Sequence, residues 1–307
     1  MKKRFYLLLA ILSILAPVSV RLGYVLPKQS IVLQEKTYEA GSIGCYIINL
    51  DRSTGRMNAM SVLLTQLHLP FHRIAAIDGK QHPEILQDSK LINLEGYADL
   101  LKGNIPGSGE AACYLSHVKA LETFLESSYE FGFIFEDDVS FSPSELQKLL
   151  PLLVDKKELW DICSLQLLAY HPGWDLKIAP LHEYALCLYR RPFWCAGAYL
   201  VNRAAAQSLV QKAFPMKMPW DLYYLRFWEF KGQNERMLRF TGIEPSLVRQ
   251  TYGDSEIENS DSRHKTHTQA PYGSWTYIKG RLFDWATNIW QCFWVYWIYI
   301  WIYLGTR

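Results

Sequence analysis

The chain has 307 residues, a net charge of +2 at pH 7, and a composition that is 50% hydrophobic and 20% charged. These values are ordinary for a globular protein and exclude a disordered, collagenous or coiled-coil chain. The near-neutral charge gives no electrostatic case for nucleic-acid binding, and the 6 scattered cysteines, without a CxxC pair, indicate neither a disulfide framework nor a CxxC zinc site.

The N-terminal segment, residues 1–27, is similar to a membrane anchor or a signal peptide. A basic stretch from Met1 to Arg4 precedes an uncharged apolar run from Phe5 to Val20. As a helix this run would be about 24 Å long, shorter than the roughly 30 Å hydrocarbon core of a bilayer. An A-x-A cleavage site is absent from the run, so we favour a membrane anchor over a cleaved signal.

Strand-like and helix-like stretches then alternate, which predicts an α/β fold built on a sheet with flanking helices. Strands are predicted over residues 45–50, 72–77, 131–135, 160–165 and 195–201, and helices are predicted to begin near residues 54, 110, 142 and 203. The glycine-rich stretch 93–109 is predicted to be a loop. Strand 131–135 is uninterrupted and apolar, so we expect it to be central in a parallel sheet.

A polar linker is predicted over residues 258–280, between the sheet domain, residues 43–257, and an aromatic tail, residues 281–307. Four tryptophans of the tail recur at helical spacing: Trp290, Trp294, Trp297 and Trp301. Aromatic rings with a polar tip prefer the headgroup level of a bilayer. We therefore predict a membrane-associating tail, with a buried C-terminal helix or a strand as alternatives.

Three consecutive carboxylates, Glu136, Asp137 and Asp138, follow the apolar strand 131–135. Ligands of open α/β sheets bind beyond the carboxyl ends of the strands. In an extended segment Glu136 and Asp138 would point to the same side, where both could reach one cation. Oxygen ligands suit Mg²⁺ or Mn²⁺, which also bind phosphate oxygens. The pattern therefore favours a metal and nucleotide-diphosphate site over its alternative, a solvated acidic turn.

Several ordered blocks of the sequence resemble glycosyltransferase family 25, the family of bacterial lipopolysaccharide and lipooligosaccharide galactosyltransferases and of collagen galactosyltransferases. The stronger blocks are Tyr46–Arg52, Ala75–Gly79, Gly109–His117 and Ile134–Val139, and the weaker ones are Gly197–Tyr199, Pro219–Asp221 and Pro245–Gln250. The resemblance extends from about residue 43 to residue 257 and leaves out both hydrophobic ends.

This resemblance implies a GT-A-like fold with a Rossmann-type nucleotide-sugar-binding sheet, and an inverting transfer of a hexose, typically galactose from UDP-galactose. It implies that Glu136 and Asp138 bind Mn²⁺ or Mg²⁺ and that Asp221 is the general base for the acceptor hydroxyl. The residues implied to bind the nucleotide sugar are Asn49, Arg52, Arg56, Asp78, Gly79, Ser116, His117 and Asp137.

Structural alternatives remain open for several of these residues. Arg52 and Arg56 could form surface ion pairs, and Asp78 could serve a turn before Gly79. His117 could be a core histidine with satisfied hydrogen bonds. Asp221 follows a Pro-Trp pair and could belong to a structural turn.

Together these features predict a membrane-associated enzyme that uses a UDP-sugar donor and a lipooligosaccharide- or lipopolysaccharide-type glycan acceptor. The alternatives are a non-catalytic membrane-anchored nucleotide-sugar- or glycan-binding protein on the same fold, a collagen-type galactosyltransferase-like enzyme, and an unrelated metal-dependent phosphotransferase. The chain lacks an N-x-S/T sequon, and its cysteines are typical of free buried thiols. We therefore favour the cytoplasmic face of a bacterial inner membrane over a type II anchor in the Golgi or endoplasmic reticulum lumen.

Overall fold

The computed structural model describes residues 42–166, 175–190, 194–251 and 274–305, so the predicted N-terminal anchor lies outside the described residues. The strands are β1 (Ile43–Asn49), β2 (Phe71–Ala75), β3 (Phe131–Glu136), β4 (Val139–Ser140), β5 (Ile162–Ser164), β6 (Asp175–Leu181), β7 (Tyr184–Tyr189), β8 (Ala198–Asn202), β9 (Phe240–Glu244) and β10 (Arg249–Gln250). The α-helices are α1 (Thr54–Gln66), α2 (Leu94–Leu100), α3 (Ser108–Glu126), α4 (Pro143–Asp155), α5 (Arg203–Gln211), α6 (Trp220–Tyr224) and α7 (Ser274–Gly305).

Eight of these strands form one mixed sheet in the order β2-β1-β3-β8-β5-β9-β7-β6, and β4 and β10 form a separate antiparallel pair. Strand β1 is parallel to both β2 and β3, and β5 is parallel to β9. Strand β8 runs antiparallel between β3 and β5. The carboxyl ends of β1, β2, β3, β5 and β9 therefore meet at one edge of the sheet.

Strand β3 confirms one sequence prediction and corrects another. Its first five residues, Phe131 to Phe135, are buried, as a continuous apolar run predicts. The expected all-parallel surroundings are wrong, because β3 pairs with β8 in antiparallel register, with Phe133 opposite Leu200. The apolar run indicates that both faces of the strand are buried. A parallel or an antiparallel neighbouring strand is compatible with such burial, so the run does not predict the direction of the neighbour.

Helix α2 corrects the predicted loop at residues 93–109. The side chain of Asn93 caps this helix by accepting a hydrogen bond from the backbone N–H of Gly96, at 2.7 Å. Tyr97 and Ala98 are fully buried on its inner side. The glycines of the stretch suggested a loop, but the capping asparagine and the buried face allow one short helix within it.

Helix α7 begins at Ser274, within the predicted polar linker, and belongs to the same compact unit as the sheet. Its inner face packs on α2, β6 and β7, with Val295 and Ile298 buried. The buried Gln291 Nε2 donates a hydrogen bond to the carbonyl oxygen of Tyr189, at 3.0 Å. The tail is thus a helix and not a strand, and one of its faces is part of the folded core.

The opposite face of α7 is rich in exposed aromatic side chains. Trp285 is 66% exposed, Trp290 48%, Trp297 47% and Trp301 51%, whereas Trp294 is partly buried. Among the residues that the structure describes, no helix combines the length and the apolar character needed to cross a bilayer. Contact of this aromatic face with a membrane surface stays a prediction.

Candidate active site

The three consecutive carboxylates lie where β3 ends and the chain turns toward β4. Glu136 is the last residue of β3, and Asp137 and Asp138 form the turn, so the expected extended segment is wrong. The carbonyl oxygen of Asp138 accepts hydrogen bonds from the backbone N–H and the hydroxyl of Thr251, both at 2.7 Å. Its Oδ2 accepts one from Gln250 Nε2 at 3.0 Å. Strand β10 therefore holds Asp138 in place.

Asp138 is partly buried and lies beside a second carboxylate. Burial and the negative charge of Glu136 raise the pKa of Asp138 to about 6, although the Gln250 hydrogen bond and Arg56 act in the opposite direction. Its Oδ1 is buried and has no hydrogen-bond partner in the part of the chain that the structure describes. A buried carboxylate oxygen without a hydrogen-bond partner, together with the oxygens of a neighbouring carboxylate, provides the oxygen ligands that a hard divalent cation prefers.

A second group of predicted residues surrounds Asp137. The buried Asn49, at the end of β1, donates from Nδ2 to Asp137 Oδ2 at 2.6 Å. Arg56, in the first turn of α1, lies 3.3 Å from Asp137 Oδ1 and 3.9 Å from Asp138 Oδ2. The structure therefore brings Asn49, Arg56, Asp137 and Asp138 together at the carboxyl edge of the sheet.

Arg52 and Asp78 form an ion pair with each other, at the ends of the neighbouring strands β1 and β2. Gly79, the next residue, lies against the start of α3. A Cβ at Gly79 would be 2.3 Å from the carbonyl oxygen of Ser108, so only glycine allows this approach of the two backbones. The structure thus shows an ion pair for Arg52 and Asp78 and a close packing contact for Gly79, and their predicted contact with a nucleotide sugar stays a prediction.

Ser116 joins the loop after β2 to α3. Its hydroxyl donates to the carbonyl oxygen of Ala112 at 2.7 Å and accepts from the backbone N–H of Ile77 at 2.9 Å. The side chain is only 1% exposed. The contacts that the structure places on Ser116 are thus structural, and its predicted contact with a nucleotide sugar stays a prediction.

His117 is buried but faces the carboxylate of Glu136. Its Nε2 lies 3.2 Å from Glu136 Oε1, and its Nδ1 lies 3.2 Å from the hydroxyl of Tyr199. Cys113, one helical turn earlier in α3, has its Sγ 3.9 Å from the same Glu136 oxygen. His117 is therefore a packed core residue that also contacts the acidic turn, Glu136–Asp138. From the sequence, a core histidine and a binding-site histidine were alternatives, and the structure is compatible with both.

Asp221 lies in the first turn of α6, where the charge of Glu136 acts on its carboxyl group. Burial raises the pKa of Asp221 to about 6, the charge of Glu136 also raises it, and the backbone N–H groups of Leu222 and Cys195 lower it. At neutral pH this side chain is therefore a carboxylate that is more basic than an exposed aspartate. That is the property a general base requires.

Tyr97 and Glu110 were not among the predicted site residues but lie near this cluster, since the charge of Asp221 acts on Tyr97 and that of Glu110 acts on Cys113. The Tyr97 hydroxyl donates to Glu110 Oε1 at 2.5 Å. Burial raises the pKa of Tyr97 far above its usual range, and the charges of Glu110 and Asp221 add to the shift. Glu110 lies in Gly109–His117, one of the blocks that resemble the family, so this position was a usable signal. Tyr97 lies in the stretch that was predicted to be a loop.

Cys195 is a further unpredicted neighbour. Its φ of 92° is unusual for a residue with a side chain, and its carbonyl oxygen accepts a hydrogen bond from the Tyr224 hydroxyl at 2.7 Å. Burial and the charges of Glu136, Asp221 and Asp138 raise the pKa of its thiol to about 12. Backbone strain of this kind clusters at functional sites. No motif in the sequence predicts the positive φ of Cys195 or its position near these carboxylates.

Comparison with known proteins supplies the family. The family profile described as Glycosyltransferase family 25 (LPS biosynthesis protein) matches residues 42–224. A procollagen galactosyltransferase 2 from Mus musculus is 29% identical over 219 residues, which cover 67% of this chain and 35% of that protein. A glycosyltransferase 25 family member from Anopheles gambiae is 32% identical over 185 residues, 58% of this chain and 30% of that protein.

Similarity also extends to proteins named as inactive. A probable inactive glycosyltransferase 25 family member 3 from Rattus norvegicus is 26% identical over 272 residues, which cover 82% of this chain and 45% of that protein. In all three relatives the matched region is less than half of the relative's own length.

Proposed function

Because the chain belongs to glycosyltransferase family 25, we propose that it is an inverting hexosyltransferase that moves galactose from UDP-galactose to a lipooligosaccharide- or lipopolysaccharide-type glycan. One observation carries the proposal. At the carboxyl edge of the sheet, the charge of Glu136 acts on two partly buried carboxylates, Asp138 and Asp221, and together with burial raises the pKa of each to about 6. The similarity to a procollagen galactosyltransferase supports galactose as the transferred sugar.

Glu136 and Asp138 are the residues that would hold Mn²⁺ or Mg²⁺. Such an ion supplies Lewis-acid stabilisation of the diphosphate that leaves with the nucleotide. The unpartnered Asp138 Oδ1 and the negative surroundings of this carboxylate support that assignment. Arg56, within 4 Å of both Asp137 and Asp138, is the cationic side chain placed to add charge stabilisation at the same edge.

Asp221 is the proposed general base. An inverting transfer needs a carboxylate that takes the proton of the acceptor hydroxyl on the face of the sugar opposite the leaving group. Asp221 is held by the first turn of α6, and its raised pKa lets it accept a proton near neutral pH. We propose that eight further residues bind the nucleotide sugar or hold the binding residues in place: Asn49, Arg52, Arg56, Asp78, Gly79, Ser116, His117 and Asp137.

We propose further that the exposed aromatic face of α7 contacts a membrane surface and brings the enzyme to a glycolipid acceptor. The exposed indoles of Trp285, Trp290 and Trp297 support this, because such rings prefer the headgroup level of a bilayer. We propose the cytoplasmic face of a bacterial inner membrane over a lumenal Golgi or endoplasmic reticulum position. The family description as a lipopolysaccharide biosynthesis protein supports a bacterial membrane, and the free thiols support its reducing, cytoplasmic side.

A non-catalytic binding protein on the same fold is the second candidate function, because some similar proteins are named as inactive. One experiment distinguishes the transferase from the non-catalytic binding protein. The purified chain is titrated with UDP-galactose and other UDP-sugars in a calorimeter with Mn²⁺, and then assayed for transfer to membrane glycolipid and for donor hydrolysis. Binding with turnover supports the transferase. Binding without any turnover supports the second candidate, and absence of binding contradicts both.

A further inference from the structure

Three side chains that can ligate a metal meet beside the acidic turn. Cys113 and His117 are separated by one helical turn of α3, so both point to the same side of the helix. Glu136 faces them from the end of β3. The Cys113 sulfur, an imidazole nitrogen of His117 and a carboxylate oxygen of Glu136 all lie within 4.8 Å of one another.

The separations agree with a single bound ion. Around a tetrahedral zinc with bonds of about 2.0 Å to nitrogen or oxygen and 2.3 Å to sulfur, neighbouring ligand atoms are roughly 3.3 to 3.6 Å apart. The observed distances to Glu136 Oε1 are 3.2 Å from His117 Nε2 and 3.9 Å from Cys113 Sγ. Small side-chain rotations therefore complete three arms of a tetrahedron and leave the fourth position open.

The imidazole is already oriented for this role. The Tyr199 hydroxyl lies 3.2 Å from His117 Nδ1, which leaves Nε2 directed at Glu136. Parallel stacking on Trp220 holds the plane of the ring, with centroids 5.1 Å apart. A hydrogen bond on the second ring nitrogen is the usual support of a metal-binding histidine. Access is open through Glu136, whose side chain is 26% exposed.

We propose that Cys113, His117 and Glu136 form a binding site for a borderline divalent cation, with Zn²⁺ as the best match. A sulfur, a nitrogen and one carboxylate oxygen are the donors that such ions prefer, whereas Mn²⁺ and Mg²⁺ prefer oxygen ligands throughout. When the ion binds, the Cys113 thiol releases its proton to solvent and the thiolate becomes a ligand. The site is thus chemically distinct from the oxygen-rich surroundings of Asp138.

Glu136 links the two sites. It is also a proposed ligand for Mn²⁺, so Zn²⁺ bound to Cys113 and His117 competes for its carboxylate. If the proposed transferase function holds, Zn²⁺ inhibits Mn²⁺-dependent transfer, and Cys113→Ser makes the enzyme less sensitive to Zn²⁺. The binding itself does not depend on that function.

The test uses the full chain, stripped of metal, and Co²⁺ as a coloured substitute for Zn²⁺. We expect one equivalent of Co²⁺ to produce the near-ultraviolet absorption of a cobalt–thiolate bond and an equal amount of Zn²⁺ to abolish it. Mn²⁺ should weaken the absorption only in large excess, because it competes for the Glu136 carboxylate but has little affinity for the thiolate. Cys113→Ser should remove the absorption and weaken Zn²⁺ binding at least about tenfold. Cys195→Ser is the matched control, because Cys195 is also partly exposed beside the carboxylates but is not one of the three ligands.

A wild-type chain without thiolate absorption, or a Cys113→Ser variant that retains it, overturns the proposal. A second measurement needs no variant: X-ray absorption spectroscopy of the wild-type chain with one equivalent of Zn²⁺ should show one sulfur ligand at about 2.3 Å. A coordination shell without sulfur also overturns the proposal. Since none of these measurements uses a sugar donor, failure of this site and failure of the transferase function are separately visible.

Discussion

The imidazole of His117 lies parallel to the indole of Trp220, with ring centroids 5.1 Å apart and ring planes 6° apart. His117 belongs to α3 and also faces Glu136, whereas Trp220 starts α6 and directly precedes Asp221. The stack therefore sets where the proposed base stands relative to the acidic turn. It joins two sequence blocks, Gly109–His117 and Pro219–Asp221, that are far apart along the chain.

Asp138→Asn should abolish Mn²⁺-dependent binding of UDP-galactose and the transfer reaction. The amide keeps the size of the side chain and can still accept the Gln250 hydrogen bond, but it lacks the charge that holds a divalent ion. Calorimetry with and without Mn²⁺, followed by a transfer assay, measures both effects. Asp155→Asn, at the exposed end of α4, is the control and should behave as wild type. Full activity of the Asp138 variant, or of the wild type in excess chelator, would contradict the metal assignment.

Asp221→Asn should lower kcat by about 10²- to 10⁴-fold and leave the affinity for UDP-galactose nearly unchanged, because a general base acts on the acceptor proton. In the wild type, kcat/KM should fall as the pH drops below about 6, where Asp221 becomes protonated. Steady-state kinetics across pH and donor calorimetry test both statements. A loss of less than about tenfold in kcat rules out Asp221 as the base. Glu110, bonded to Tyr97, is then the next carboxylate to replace.

The raised pKa of Asp221 should also appear in the pH dependence of stability. The folded pKa of about 6 is above the unfolded value near 3.8, so between these pH values the folded state binds more protons. The free energy of unfolding therefore falls as the pH rises through this window, by about 1.4 kcal/mol for each unit of pKa difference. Asp221→Asn removes this contribution, so its Tm relative to that of the wild type should increase from pH 4 to pH 7. Thermal unfolding of the ligand-free proteins measures this, and a pH-independent difference in Tm would refute the expectation.

Gly79→Ala should destabilise the fold by about 1–3 kcal/mol, because the added methyl group would meet the Ser108 backbone, which cannot rotate away. Gly55→Ala is the matched control, since nothing lies within 4 Å of a Cβ built on this helical glycine. Replacing an exposed glycine of α1 with alanine should stabilise the protein by up to about 1 kcal/mol. Urea unfolding of both variants gives the comparison. Equal stability of Gly79→Ala and wild type would show that the loop after β2 moves freely against α3.

Replacing Trp285, Trp290 and Trp297 together with serine should release the protein from anionic lipid vesicles without lowering its Tm, because all three indoles are about half or more exposed. Ile298→Ala is the opposite control. This residue is buried against the sheet, so its truncation should cost about 2–5 kcal/mol of stability and leave vesicle binding of the folded protein intact. Vesicle co-sedimentation measures the membrane role of the exposed face of α7, and thermal unfolding measures the contribution of its buried face to stability. Unchanged sedimentation of the triple variant would exclude the membrane role.

The hydrophobic pattern of a single segment was sufficient to predict a strand or helix wherever burial of that segment decides its structure. The apolar runs of β1 and β3 and the helical spacing of α3 were predicted within a few residues of their observed bounds, since burial selects apolar side chains at a fixed period. The order of the blocks around Asn49, Gly79, His117 and Glu136 was sufficient to indicate the family. Helix α2 was missed because its cap, Asn93, stands in a stretch whose glycines suggested a loop.

The sequence by itself determined that the β1 and β3 segments are buried, that a carboxylate ends β3, and which family the chain resembles. Only the tertiary structure decided that β8 runs antiparallel between β3 and β5, that His117 faces Glu136, and that one side of α7 is core while the other carries exposed indoles. The physical reason is that hydrophobic periodicity records whether a side chain leaves water, which is a property of one segment. It does not record the partner against which the side chain packs, because strand direction and side-chain contacts depend on segments distant in the chain.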